Sequence, residues 1–511
     1  MQSLQSDTPE YQEGCGVLHR CKGKARYDEG KLQQNPYPYW RDAYRSYQQA
    51  LNFLTTPNLR QRRLEVLQDT IKVCRALDKT TQVQALLAEG TDLLGRLLQE
   101  TPSDAVKIRL SQKFASFDQL RVDEIAQAGN WCAALELAEQ RKNLCLTWMQ
   151  NRWSESVDSP NYAQMQQLLA PVAIQLSRKM DKYSVTLPIG RQSFGNKAIV
   201  YWHISPAAIT TFILKYNQPP IILSAKNGES GSVFSPSLSD LDPLHNLFDL
   251  PSPLVGQGQG VRGNFTIAYL PSIKVGLNRT YPKPNTSLLS VENPTEDLRY
   301  ASQESESICQ IYPNAHRLAK SAATKTAVKI ALAQNFGIFH FTGHSTHNTK
   351  QPAESALILA NEERLTLKDI LELDLSNYNL ACLCSCETNF TSKVGLIDEF
   401  IGLASGFVAA GVNNVIGSLW GVDDRSTAYL MTKFHNILTS YPHKDVPSAL
   451  KEAQDWLRNA TNAELDQFPI HRSQVRNFGI LSDQEIAENR SPNHKPFASP
   501  YHWAGFCAIG L

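Results

Sequence analysis

Cysteine and methionine are scarce, with 10 and 5 in 511 residues. So few cysteines exclude a disulfide scaffold and read as thiols, three of them (Cys382, Cys384 and Cys386) in one short apolar run. An excess of charge of one sign is also missing: 50 Lys and Arg against 49 Asp and Glu leave a net charge of +1. The chain therefore has no global electrostatic reason to bind nucleic acid or an anionic membrane, and any site must be local. The N-terminal MQSLQSDTPEYQEGC lacks a basic stretch followed by an apolar one, so no secretory signal is expected and the cytoplasm is the expected compartment. One long uncharged run exists, the 22 residues Ile401 to Val422, but five glycines and Asn413-Asn414 interrupt it. The pattern predicts a buried helix ending near Gly411 and then a strand, VIGSLW, rather than a membrane span. What is present, 42% hydrophobic and 19% charged residues, describes a globular chain long enough for two to four domains.

Up to about residue 180 apolar residues recur at helical spacing: Trp40, Ala43, Tyr47 and Ala50; Leu64, Leu67, Ile71 and Cys74; Ala134, Leu137 and Ala138. Gly129, Trp131 and Ala134 fall as a turn glycine, an aromatic and a small helix-contact residue do in a tetratricopeptide repeat, with a weaker echo at Tyr39, Trp40 and Ala43. Without a strict 34-residue period, residues 1–180 read as degenerate, tetratricopeptide-like helical hairpins, or else an ordinary helical bundle. From 181 to about 290 the runs VTLPIG, AIVYWHIS and AITTFILKY read as strands, forming a smaller degenerate half or an extension of a larger sheet. Residues 225 to 263 read as a long Gly/Ser/Pro-rich surface loop open to proteolysis. From 291 to 511 apolar strands alternate with helices: a helix near 303–334, GIFHFTGH, a helix opening at Leu367, LACLCSC, helices near 397–410, 425–438 and 447–460, and a last strand in YHWAGFCAIG. That alternation predicts an α/β domain on a largely parallel sheet.

In open α/β sheets functional groups gather at the carboxyl ends of strands. GIFHFTGH ends in Gly343-His344, and LACLCSC ends in Cys386, 42 residues later. Consecutive strands tend to be neighbours, so a His and a Cys are expected to face one crevice. A thiolate is a strong nucleophile that free cysteine supplies poorly at neutral pH, and an imidazole corrects this by taking the proton and returning it to the leaving amine. The oxyanion would be held by backbone N–H groups after the strand ends, those of Ser345 and Cys386 being the candidates. His340, His344 and His347 lack the glutamate of a zincin helix, and Cys382, Cys384 and Cys386 share a strand face without a second ligand pair, so core packing is expected there and no metal or cofactor. Asp423 and Asp424, between VIGSLW and the next helix, either cap that helix or line a specificity pocket. Thr366 to Asp369 reads as a capping box.

The stretches HFTGHS, SALILANEERLTLKDILELDL, LCSCET, IDEFIGLASGFVAAGVNNVIGSLWGVDD and PYHWAGFCAIG, in that order, resemble the CHAT family, caspase-like domains associated with tetratricopeptide repeats, in the wider clan of caspases, separases and gingipains. The resemblance implies a caspase-like α/β fold behind an all-α helical region and a cysteine endopeptidase with His344 and Cys386 as its dyad. It implies a protein substrate, and Asp423 or Asp424 holding a basic P1 side chain as separases do. Ser345 stands where members often have Gly, and its side chain narrows the expected oxyanion hole, which implies slow turnover or dependence on an activator. The N-terminal helices are the expected surface for an activating or regulating protein. The rival reading is an idle scaffold that uses the same helices for docking.

Overall fold

The computed structural model of the chain describes residues 8–142, 160–167, 198–204, 208–215, 219–226, 266, 268–269, 273–277, 286–348, 351–385, 402–442, 444–468, 470 and 491–510. The strand expected at VTLPIG, most of the loop from 225 to 263, and Cys386 lie outside them. Two compact units are present, the first built from residues 1–142, 158–234 and 395–398, the second from 143–157, 235–394 and 399–511.

The first unit opens with seven helices: α1 (Pro9–Gly30), α2 (Tyr37–Phe53), α3 (Arg60–Ala76), α4 (Thr80–Glu100), α5 (Asp104–Phe114), α6 (Ser116–Gln127) and α7 (Trp131–Arg141). The periodic residues do face inward, with Ala43, Tyr47, Ala50, Leu64, Leu67 and Cys74 all buried. The pairing of α1 with α2 rests on a pattern that hydropathy hides. Gly16, Gly23 and Gly30 recur every seven residues along an otherwise polar helix, and Leu54, Tyr47 and Trp40 run in the opposite order along and just beyond α2. A Cβ at each glycine would lie 2.5 Å from Leu54, 2.6 Å from Tyr47 and 2.8 Å from Trp40. Each large side chain fills the space a missing one leaves, two turns apart. Glu65, buried on α3, is tied to Arg20 of α1, Arg62 and Lys113 of α5. Burial alone would raise its carboxyl pKa, but Lys113, Arg20 and Arg62 hold it below the ordinary value. Between α6 and α7, Gly129 takes a φ of +80° while its N–H and that of Asn130 return to the carbonyls of Ala126 and Ile125. Asn130 then caps α7 by accepting from Ala133 N–H. Strands β1 (Ala198–Ile204), β2 (Ala208–Lys215) and β3 (Ile221–Lys226) form a separate antiparallel sheet.

The second unit is an α/β domain. Strands β4 (Ala268–Tyr269), β5 (Leu288–Glu292), β6 (Ala315–Ala319), β7 (Ile338–Thr342), β11 (Leu380–Cys384), β12 (Asn414–Ser418) and β13 (Phe506–Gly510) make one sheet in the order β4-β13-β12-β11-β7-β5-β6. The five strands from β12 to β6 are mutually parallel, and β13 and β4 run the other way. Between β7 and β11 in sequence, β8 (Ser345–Thr346), β9 (Ala356–Ile358) and β10 (Arg364–Thr366) form a small antiparallel sheet. Alternation divides the large sheet's two faces. Ile338, Leu380, Cys382 and Ile416 share a core with the helices Ala301–Ile311, Asp424–Ser440 and Val446–Asn459. Phe339 turns the other way and stacks on Phe407 of the helix Leu403–Ala409, ring centroids 5.5 Å apart.

The single helix expected over 303–334 is two helices, Ala301–Ile311 and Lys325–Leu332, with β6 between them. Tyr312-Pro313-Asn314 stops the first helix. β6 is an edge strand whose residues are exposed or half-buried, so it lacks the apolar signature of its neighbours. The uncharged run from 401 resolves as expected into the helix Leu403–Ala409 and β12. Gly411, at φ +117°, closes the helix, its N–H and that of Val412 returning to the carbonyls of Val408 and Phe407. Among the described residues no helix is long and apolar enough to cross a membrane.

If the α1–α2 contact depends on the glycine notches, Gly23→Leu must push the helices apart and cost about 1–3 kcal/mol. Gly14→Ala, at a position with nothing within 4 Å of the added carbon, should instead gain up to about 1 kcal/mol of helix propensity. Denaturation followed by helical circular dichroism checks both signs.

Candidate active site

The residues ending β5, β7 and β11 meet on one edge because their register is in step: Thr342 of β7 lies opposite both Glu292 of β5 and Cys384 of β11. Gly343 continues from β7 with its N–H 3.4 Å from the Cys384 carbonyl. A Cβ there would lie 2.6 Å from the Phe341 ring and 3.1 Å from Pro294, so only glycine fits between strand end and neighbouring loop. His344 follows, 38% exposed, with its carbonyl accepting from Ile358 N–H of β9. Because residues 344 and 358 make that ladder bond, Ser345 faces Leu357 at a position whose N–H points to the side of β8 away from β9.

A residue that sequence reasoning did not single out holds His344. Asp297, in the loop after β5, places both carboxylate oxygens 3.0 Å from His344 Nε2. Asn293 shapes that loop in a left-handed conformation, φ +41°. Its N–H donates to the Thr342 carbonyl at 2.7 Å, its side-chain amide donates to the Leu298 carbonyl, and its side-chain oxygen accepts from Leu298 N–H. The Thr295 hydroxyl, followed by the His344 ring, keeps the Asp297 carboxyl below its ordinary pKa. An ionised carboxylate accepting at Nε2 leaves Nδ1 of His344 with the lone pair, the form a base needs. The same strand-end rule that selected His344 points to ENPTEDL after β5, and would have found Asp297.

On the cysteine side the described chain ends at Ser385. It is buried, and its carbonyl accepts from the Ser418 hydroxyl at the end of β12. Cys386 follows it in sequence and lies outside the described residues. Burial, followed by the nearby Glu304 carboxylate, pushes the thiol pKa of both Cys382 and Cys384 well above the ordinary value, so neither is a free thiolate nucleophile. His340, within β7, turns down into the core and meets Glu304 at 2.9 Å rather than joining His344.

Asp423 and Asp424 separate at the start of the helix Asp424–Ser440. Asp423 is the N-cap, accepting from Ser426 N–H at 2.8 Å, with His502 Nδ1 3.8 Å away. Asp424 turns toward the sheet domain's interior and accepts from Tyr300 N–H at 2.7 Å. Burial first, then the neighbouring Glu304 and Asp423, raise its pKa from 3.8 to about 6 against the pull of the Tyr300 N–H. The Thr366–Asp369 capping box forms as expected.

A CHAT-domain family model matches residues 242–511, a little over half of the 511-residue chain. The chain belongs to the CHAT domain family. Among solved structures it is similar to the Arg-specific cysteine proteinase gingipain R, at 12% identity and a TM-score of 0.28 over 36% of this chain and 46% of that one. It is similar also to a complex of the pro- and mature domains of Porphyromonas gingivalis RgpB, at 13% identity and 0.26 over 36% and 47%. A third similarity is to the Saccharomyces cerevisiae separase–securin complex, at 14% and 0.28 over 48% and 14%. The chain spans less than half the length of each. No curated protein matches it significantly.

Asp424 carries a pH signature. Its folded pKa lies above the unfolded value, so its contribution to stability is fully present below about pH 4 and is lost as the pH rises through about 6. Asp424→Asn, neutral throughout, should therefore gain melting temperature relative to the parent chain at pH 7.5 and lose that advantage at pH 4.5. A difference that does not change with pH would contradict the burial of an ionising carboxyl.

Proposed function

We propose that this CHAT-family protein is a cysteine endopeptidase in which Cys386 attacks the scissile carbonyl and His344 is base and then acid. The observation that carries the reading is the Asp297–His344 pair at the end of β7, beside the strand that leads to Cys386 two residues beyond its last residue. A carboxylate on Nε2 fixes the ring's orientation and tautomer, and Nδ1 is left to take the thiol proton. The thiolate adds to the substrate carbonyl, and the oxyanion is stabilised by the backbone N–H groups of Ser345 and Cys386. The proton then passes from Nδ1 to the leaving amine, and water completes hydrolysis of the thioester by the reverse exchange. The substrate is a protein, and the N-terminal helices are the surface on which another protein would gate the site.

Cys386→Ala and His344→Ala should each abolish cleavage, with Asp297→Asn leaving a reduced rate because orientation is lost and the reacting atoms remain. A thiol-reactive probe should label Cys386 and leave the buried Cys382 and Cys384 untouched. Cleavage surviving in Cys386→Ala would reject the mechanism; a folded chain whose Cys386 never labels or cleaves favours the scaffold reading. If a partner gates the site, labelling of Cys386 should rise when host extract is added. Unchanged labelling would leave the helices a localising role.

Asp423 is the better candidate for a basic P1 side chain, since its carboxylate is 39% exposed while Asp424 is taken up by Tyr300 N–H. A peptide library should then favour Arg or Lys at P1, and Asp423→Asn should lower kcat/KM for those peptides by about ten- to a hundredfold. A preference for small apolar P1 residues would return Asp423 to capping alone.

A further inference from the structure

Beneath the strand ends lies a cluster that the hydrolysis does not use. His340 of β7 and Cys382 of β11 are register partners. His435, from the helix Asp424–Ser440, meets both: its Nε2 is 3.7 Å from Cys382 Sγ, and its ring centroid is 5.2 Å from that of His340. One ligand-capable atom from each of the three lies within 4.8 Å of the other two, and all three side chains are fully buried.

The outer nitrogens of both rings are already held. Glu304, itself buried, meets His340 Nε2 at 2.9 Å, and the Tyr312 hydroxyl meets His435 Nδ1 at 2.8 Å. His340 Nδ1 is the reverse case, a fully buried ring nitrogen with no hydrogen-bond partner. Leaving such an atom unpaired costs about 1–3 kcal/mol, so a native core seldom keeps one. Two imidazoles converging on a thiol, each oriented from behind by a carboxylate or a hydroxyl, is the arrangement metal-ligating histidines show.

We propose that His340 Nδ1, Cys382 Sγ and His435 Nε2 bind one structural Zn2+ ion. Mixed nitrogen and sulfur donors in a closed, fully buried pocket suit zinc better than the oxygen-seeking Ca2+ or Mg2+. Cys384, on the same strand face two residues on, falls in a separate group with Glu304 and His340 within 4.8 Å rather than among the three. Binding exchanges ions: Zn2+ displaces the Cys382 thiol proton, which leaves to solvent, and a Zn–S bond forms. The thiolate and the Glu304 carboxylate then balance the two charges of the metal. Sequence reading assigned these cysteines to core packing because His435, 53 residues beyond Cys382, gives no local ligand spacing. Since none of the three side chains reaches solvent, the ion would enter as the sheet forms. It would pin β7, β11 and the helix together at His340 and Cys382, which precede His344 and Cys386 by four residues in the sequence.

The test does not depend on proteolysis. The full chain is expressed in zinc-supplemented medium, freed of loose metal with a chelator and gel filtration, and its metal counted by mass spectrometry. About one zinc per chain is expected, falling at least about tenfold in Cys382→Ser and in His435→Gln but not in Cys21→Ser, an exposed thiol on α1 of the first unit. A folded parent chain without zinc, or zinc retained in Cys382→Ser, overturns the proposal; a different metal lost in the same two variants overturns the choice of zinc. Should the variants fail to fold, the parent chain refolded with Co2+ decides. A thiolate-to-cobalt charge-transfer band supports the site, and its absence rejects it.

Discussion

The register of three parallel strands is the constraint on which the rest of the second unit depends. With Thr342 opposite both Glu292 and Cys384, the chain leaves β5, β7 and β11 at one level, and Asp297 and His344 come within hydrogen-bond distance from segments 47 residues apart. A slip by one residue would do more than misplace the histidine. It would turn His340 and Cys382 to the face where Phe339 stacks on Phe407, and bring aromatic rings down onto His435. Chemistry at the strand ends and burial along the strands are thus fixed by one choice of pairing.

Much of this was legible in residues. GIFHFTGH and LACLCSC are apolar runs with a functional residue just past their ends, and a parallel sheet forces such ends to one edge, so the placement of His344 could be reasoned out. The helix stop at Gly411 was equally plain, because only glycine takes a φ of +117° cheaply. Asp297 was less plain: the strand-end rule points to its loop, but an acidic residue there looks like any solvated side chain until the fold brings it to a histidine. β6 escaped for the opposite reason: an edge strand needs no apolar face, and HRLA carries none. The α1 helix has few apolar residues to mark it, because its packing face is made of glycines and the volume is supplied by α2.

His435 shows the limit of spacing arguments most clearly. It sits in a helix whose apolar stripe, Leu430, Met431, Phe434 and Ile437, explains burial without reference to any neighbour. Its meaning arises only from what the sheet presents to it, a thiol at 3.7 Å and an imidazole in edge contact. Burial and desolvation, then His340, hold its pKa well below the ordinary value, so it meets that surface as a neutral ring. A neutral ring can accept from a thiol or bind a metal, whereas a charged one in this apolar setting could do neither.

The helix Asp424–Ser440 is where these strands of reasoning join. Its first turn holds Asp423 as cap and Asp424 against Tyr300 N–H, and three turns on it delivers His435 beneath β7 and β11. Asp424 and His435 ride on one hydrogen-bonded helix of 17 residues, at fixed rise and rotation from one another. Glu304 strengthens the link: it touches His340 directly and raises the pKa of Asp424 by its charge. Ionising Asp424 places a second negative charge near Glu304, and that repulsion adds to burial in raising the carboxyl's pKa. Asp424 and Glu304 are then one electrostatic unit at the head of this helix.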